Sequence, residues 1–218
     1  ISSRISNYEL AFRMQSAAPE ALAIESEPRH VQSLYGIGDK RCDHFARQCL
    51  VARRLVERGV RFVQLYSGGN ENQRSWDGHA DIEGNHTQFA GETDRPVAGL
   101  LADLQQRGLL EETLVVWASE MGRTPFRNGG LGKNPGREHN SQALCMWMAG
   151  GDVKGGATAG ETDDFSLRSV GEAIHIRDVH ATLLHLLGIN HERLTCRFQG
   201  RDFRLTDVAG KLIKPILA

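Results

Sequence analysis

Leu114-Val115-Val116-Trp117-Ala118-Ser119-Glu120-Met121-Gly122-Arg123-Thr124-Pro125 is the stretch from which the fold is read. Its first half is a continuous apolar run, the pattern of a strand buried on both faces of a parallel sheet. Its second half places an acid, Glu120, just past the end of that run. Further on, Gly136-Arg137-Glu138-His139-Asn140 returns a histidine beside an arginine. In open α/β sheets the loops at the carboxyl ends of strands converge on one crevice. A carboxylate and an imidazole delivered there can hold a cation, and arginines can hold an anion. Trp76-Asp77-Gly78-His79 supplies a second acid–imidazole pair after another apolar run, Val60 to Tyr66. Together these stretches read as a metal- or anion-handling hydrolase site.

Outward from this point the chain alternates helical and strand-like patterns. Ile5 to Met14 has helical spacing with Ile5, Tyr8 and Phe12 as packing residues, and Pro19 and Pro28 punctuate an irregular connection after it. Asp39 is placed to cap a helix from Lys40 to Glu57, with Phe45, Cys49, Ala52 and Val56 as its apolar stripe and Gly59 as its stop. A long helix is expected from Glu83 to Arg107, with Pro96 kinking or restarting it. Met121 to Asn140 reads as a long functional loop, Ala143 to Gly150 as a third buried strand, and residues 150–156 as a glycine turn. An amphipathic helix is expected from Arg177 to Leu187, with Val179, Leu183, Leu184 and Leu187 inward. Short strands are expected in the tail from Arg197 to Leu217. The alternation predicts an α/β fold with a mostly parallel sheet flanked by helices.

A chain of 218 residues can bury a substantial core, and one domain is the default. It is 40% hydrophobic and 24% charged with a net charge of -1, which gives no electrostatic reason to expect nucleic acid or an anionic membrane as partner. No apolar run approaches the roughly 20 residues of a membrane helix. The chain opens at Ile1 inside a helical pattern, which reads as a fragment or a processed product, and no export signal is visible. Cys42, Cys49, Cys145 and Cys196 form no CxxC pair and read as buried free thiols.

Each candidate has an ordinary reading beside the functional one. A single His79 is most often a packing or surface residue, but the Asp77-Gly78-His79 grouping favours function. Glu120 at a strand end is also a common capping or ion-paired carboxylate, and His139 in a glycine-rich loop is also a common solvated residue. His180 and His185 stand five apart, off a shared ligand face, and read as structural. Lys154 lies in a turn without phosphate-loop order, and no serine sits in a nucleophile elbow.

Six stretches carry a resemblance: Tyr8-Glu-Leu-Ala-Phe-Arg-Met-Gln, Ala52-Arg-Arg-Leu-Val-Glu-Arg-Gly-Val-Arg-Phe-Val, Trp76-Asp-Gly-His, Glu120-Met-Gly-Arg-Thr-Pro, Gly136-Arg-Glu-His-Asn and Asp178-Val-His-Ala-Thr-Leu-Leu-His-Leu-Leu-Gly. The chain resembles the carboxyl-terminal part of a bacterial sulfatase-like family of unknown function in the alkaline phosphatase superfamily. The resemblance implies a single sulfatase-like α/β domain over residues 1–218 that lacks its amino-terminal portion. It also implies hydrolysis of sulfate or phosphate esters, with a small anionic ester or sulfated glycan as substrate. One divalent ion (zinc, manganese or calcium) would be held by His79, Glu120, His139 and Asp77. Arg123 and Arg137 would face the anion in the reaction, with Lys133 nearby. An exported or periplasmic setting fits the resemblance. Ser75 and Met121 depart from the superfamily's ligand pattern, and its nucleophile has no counterpart here. A non-catalytic binding or scaffold protein with a degenerate metal site is therefore the rival reading. A glycan-binding surface on Trp76 and Tyr66 is a third.

Overall fold

The computed structural model describes residues 2–68, 75–128 and 134–218. The chain divides into two compact units, Ile1–Leu109 and Leu110–Ala218. None of the described helices is long and apolar enough to cross a membrane.

The first unit is helical. Helix α1 spans Ser2–Leu22, α2 Arg29–Tyr35, α3 Asp43–Glu57 and α4 Ile82–Gln106. In α3 the buried positions Phe45, Ala46, Cys49, Leu50, Ala52 and Arg53 follow helical spacing. In α4 the buried positions are Phe89, Thr93, Pro96, Gly99, Leu100, Asp103 and Leu104. Gly99 is where α2 and α4 meet most closely: a Cβ there would stand 2.9 Å from the Leu34 carbonyl oxygen and from Tyr35 Cα. The Cys49 thiol is fully enclosed, and burial pushes its pKa up to about 12.

An ionic network runs through this core. Arg53, 1% exposed, places Nη2 2.9 Å from Glu27 Oε1, Nε 2.9 Å from Asp103 Oδ2 and Nη1 2.7 Å from Glu57 Oε2. Arg54 also pairs with Glu27 and donates Nε–H to the Ala21 carbonyl at 2.8 Å. Arg107 reaches Asp103 at 2.7 Å and Glu57 at 3.0 Å, and the Tyr35 hydroxyl donates to Asp103 at 2.9 Å. Buried ions of this kind are tolerated only when every charge is answered, because each has lost its hydration.

The second unit carries short antiparallel strand pairs. Strand β1 (Val115–Trp117) pairs with β4 (Trp147–Ala149), β2 (Gly122–Asn128) with β3 (Gly136–Asn140), β5 (Glu161–Thr162) with β6 (Ser169–Val170), and β7 (Thr195–Phe198) with β8 (Arg201–Arg204). Helix α5 (Ile176–Leu186) opens on a capping box in which the His175 ring accepts from Arg177 N–H and the Asp178 carboxylate accepts from His175 N–H. The other Asp178 oxygen accepts from Lys211 N–H at 2.7 Å, and Thr182 Oγ1 accepts from Ile213 N–H at 3.0 Å. These bonds tie α5 to the C-terminal segment.

The expected mostly parallel sheet flanked by helices is corrected: the described strands form two-stranded antiparallel sheets. Between β1 and β4 the chain folds into the β2–β3 strand pair rather than a crossover helix, and without a crossover two neighbouring strands cannot run parallel. Their apolar faces are also less buried than the sequence pattern implied, with Val116 39% and Trp147 38% exposed. Val60 to Tyr66 is extended but pairs with no strand among the described residues. Its Val63 and Leu65 instead line a groove of about 370 Å³ along Gln48, Val51 and Leu55 of α3.

Other differences are local. Ile5, Tyr8 and Phe12 are exposed, and α1 continues through Pro19. Cys42, not Asp39, is the N-cap of α3, while Asp39 Oδ1 accepts from Arg41 N–H in the turn before it. Helix α4 runs unbroken through Pro96, Leu187 is exposed beyond α5, and Cys145 and Cys196 are exposed thiols.

Glu27 sets the acid stability of the first unit. Burial raises its pKa, but the guanidinium groups of Arg53 and Arg54 outweigh burial and hold it below the usual 4.5. A lowered folded-state pKa contributes stability that is present above about pH 4.5 and lost as the pH falls through the depressed value. In urea unfolding at pH 7, Glu27→Gln is expected to cost about 3–5 kcal/mol, because it takes the carboxylate from buried Arg54 and one of three from buried Arg53. The variant should also show a flatter loss of stability below pH 4.5 than the parent, and equal slopes would refute the assignment.

Candidate metal and anion site

In the first unit the candidate residues sit in the loop that enters α4. Trp76 is fixed by an Nε1–H bond to Ser67 Oγ at 3.0 Å and by ring contacts with His86 and Phe89, both at 5.5 Å between centroids. From that anchor the backbone turns tightly, with Gly78 N–H bonded to the Trp76 carbonyl and His79 N–H to the Asp77 carbonyl. The turn brings Asp77 Oδ1 to 3.0 Å from His79 Nε2, with both side chains partly exposed. Asp81 closes the loop at φ 47 as the N-cap of α4, its side chain accepting from Gly84 N–H. Left-handed backbone is tolerated by Asp because its short side chain can bond locally.

In the second unit the expected long loop from Met121 to Asn140 holds the β2–β3 strand pair instead. Register sets Arg123 opposite His139 and Arg127 opposite Arg137, with an irregularity between the two β2 arginines. Alternation along β3 puts Arg137 and His139 on one face and Glu138 on the other. Arg137 Nη1 donates to the Pro125 carbonyl at 2.5 Å, and Glu138 Oε2 accepts from Asn128 Nδ2 at 3.1 Å. The end of the pair is pinned by buried Asn140, whose Nδ2 donates to the Leu167 carbonyl and whose Oδ1 accepts from Gln142 N–H, both at 2.9 Å. Like charges directly opposite each other in a strand pair repel. The Arg127–Arg137 pairing therefore concentrates positive charge at this point of the strand pair.

Asp77 and His79 thus stand in contact with each other, and Arg123, Arg137 and His139 share one strand pair. Glu120 is exposed just before β2. Lys133 lies outside the described residues. Arg127 went unnoticed in the sequence because only the register sets it beside Arg137. His180 and His185 are exposed on α5.

A family model described as a protein of unknown function (DUF1501) matches residues 1–217. The chain belongs to this family. No curated protein and no solved structure matches. Membership corrects the resemblance to sulfatase-like proteins of the alkaline phosphatase superfamily, since the match is to DUF1501 and to neither sulfatases nor alkaline phosphatases. The DUF1501 description assigns no chemistry, so the side chains themselves must argue it.

One position tests the packing of the β2–β3 pair. A Cβ at Gly122 would fall 1.7 Å from the Ala143 carbonyl oxygen, a backbone atom that cannot swing aside. Gly122→Ala is expected to destabilise the second unit by at least about 1–3 kcal/mol, the usual range for overpacking. Hydrogen exchange at the Arg123 and His139 amides should accelerate with it, and unchanged protection would contradict the packing described.

Proposed function

We propose that this protein is a divalent-metal-dependent hydrolase of anionic esters, of the sulfate or phosphate class. The observation that carries the reading is the 3.0 Å separation of Asp77 Oδ1 and His79 Nε2. Two donors each ~2.1 Å from one ion and at right angles to each other stand about 3.0 Å apart, so the pair has the bite of neighbouring metal ligands. A carboxylate with an imidazole suits zinc or manganese, and calcium would favour the carboxylate alone. Arg123, Arg127 and Arg137 lie on one strand pair of the second unit, and guanidinium groups are the side chains best suited to sulfate and phosphate oxygens. Of the donors expected from the sequence, Asp77 and His79 carry the proposal, and Glu120 and His139 take no part in it.

A bound divalent ion would withdraw charge from an ester oxygen. The protein's own contribution is to hold Asp77 and His79 in one orientation through the Trp76 anchor and to receive the anion's remaining charge on arginine. A non-catalytic binding protein is the second reading. What favours it is that Asp77 and His79 already stand in hydrogen-bond contact with each other.

Calorimetric titration with zinc and manganese, alongside turnover of p-nitrophenyl phosphate and p-nitrophenyl sulfate, separates the readings. Wild-type protein is expected to bind one ion per chain, with Asp77→Ala and His79→Ala each weakening binding at least tenfold. Arg123→Ala and Arg137→Ala should lower turnover while leaving metal affinity intact. Metal binding without turnover of any ester would select the binding protein, and no metal binding at all would remove the hydrolase reading.

A further inference from the structure

We propose that Asn85 is a further ligand of the ion held by Asp77 and His79, giving its carboxamide oxygen to the metal; this rests on the metal-site reading above. Asn85 lies on the first turns of α4, with its amide beside Gly78, the residue between Asp77 and His79. Its Nδ2 donates to the Ser75 carbonyl at 2.8 Å, which fixes the amide plane and turns Oδ1 the other way. Oδ1 is sealed from solvent and has no hydrogen-bond partner among the described residues. Buried carbonyl oxygens are rarely left this way, and one that is needs a cause. The next residue repeats the pattern: His86 Nδ1 is enclosed without a partner while its ring stands edge-on to Trp76.

The place where Oδ1 lies follows from Gly78. A Cβ on that residue would be 3.5 Å from both Asn85 Cγ and Oδ1, and 2.6 Å from Ile82 Cδ1. The amide therefore packs on the glycine that separates Asp77 from His79, and the absence of a side chain there is what lets it approach. One carboxylate, one imidazole and one amide oxygen make a mixed oxygen–nitrogen set suited to a hard or borderline divalent ion. The charge also suits the chemistry proposed: a single carboxylate leaves a divalent centre with net positive charge, which attracts an anionic ester.

Manganese binding, followed by the loss of the free-ion resonance signal, tests the assignment in wild type, Asn85→Leu, Asn85→Asp and His79→Ala, with circular dichroism melts confirming that each is folded. Asn85→Leu is expected to weaken binding about tenfold or more. Asn85→Asp, which keeps an oxygen at the Oδ1 position but loses the Nδ2 donor, should match or exceed wild type. Equal weakening by both Asn85 variants would mean that Asn85 serves only to strap the loop through Ser75, and the proposal would fail while the His79 result upheld the metal site. Unchanged binding in Asn85→Leu would overturn it in the same way. Failure of wild type itself to bind manganese would bring down the metal site and this ligand together.

Discussion

A guanidinium group buried among helices imposes an exacting condition, and Arg53 meets it with three carboxylates from three parts of the first unit: Glu27 ahead of α2, Glu57 at the end of α3 and Asp103 late in α4. A planar fork of fixed geometry cannot follow its partners if they shift, so the positions of these segments are set jointly. Arg54 and Arg107 answer the remaining carboxylate charge, and Tyr35 brings α2 into the same arrangement through Asp103. Apolar burial drives α2, α3 and α4 together without specifying how they align. The charges supply the alignment, because any slip would leave an ion both dehydrated and unanswered.

That constraint reaches the candidate site through α4. Its later turns are held by Asp103 and Arg107, its middle is pressed onto α2 at Gly99, and its first turns receive Trp76 on His86 and Phe89. A loop whose tryptophan is seated on a clamped helix presents Asp77 and His79 with little freedom. Metal sites depend on such support, since a donor that wanders by half an ångström no longer ligates. Rigid helical packing is thus the physical link between the ionic core and the chemistry proposed for the loop.

Helices were the legible part of the sequence. The 3.6-residue spacing of Phe45, Cys49 and Ala52 marks a buried stripe that tertiary packing then honours. Pro96 misled only in suggesting a break, since the helix accommodates it in the interior. Strands were legible as extended segments but not as a sheet. An apolar run such as Val115-Val116-Trp117 states that its residues avoid water, yet pairing direction is decided by what connects two strands, and here the stretch read as a long functional loop holds a strand pair. The Asp77–His79 pair was readable because two residues of separation allow few geometries. Arg127 and Asn85 were not, because their importance arises from register and from an amide's orientation, neither of which leaves a local signature.

The β2–β3 pair shows why composition alone understates how far charge is concentrated locally. A net charge of -1 over the chain suggests no electrostatic preference. Register nevertheless concentrates positive charge locally: Arg127 faces Arg137, Arg123 faces His139, and alternation sends Glu138 to the opposite face, where it accepts from Asn128. Such an arrangement is costly for a strand pair on its own, because opposed like charges weaken the pairing that holds them. It becomes favourable when an anion bridges the guanidinium groups, and the Asn140 anchor on the Leu167 carbonyl keeps the pair in register meanwhile. Local stability conceded to charge repulsion is a reason to look for a ligand of opposite sign, and sulfate and phosphate esters have that sign.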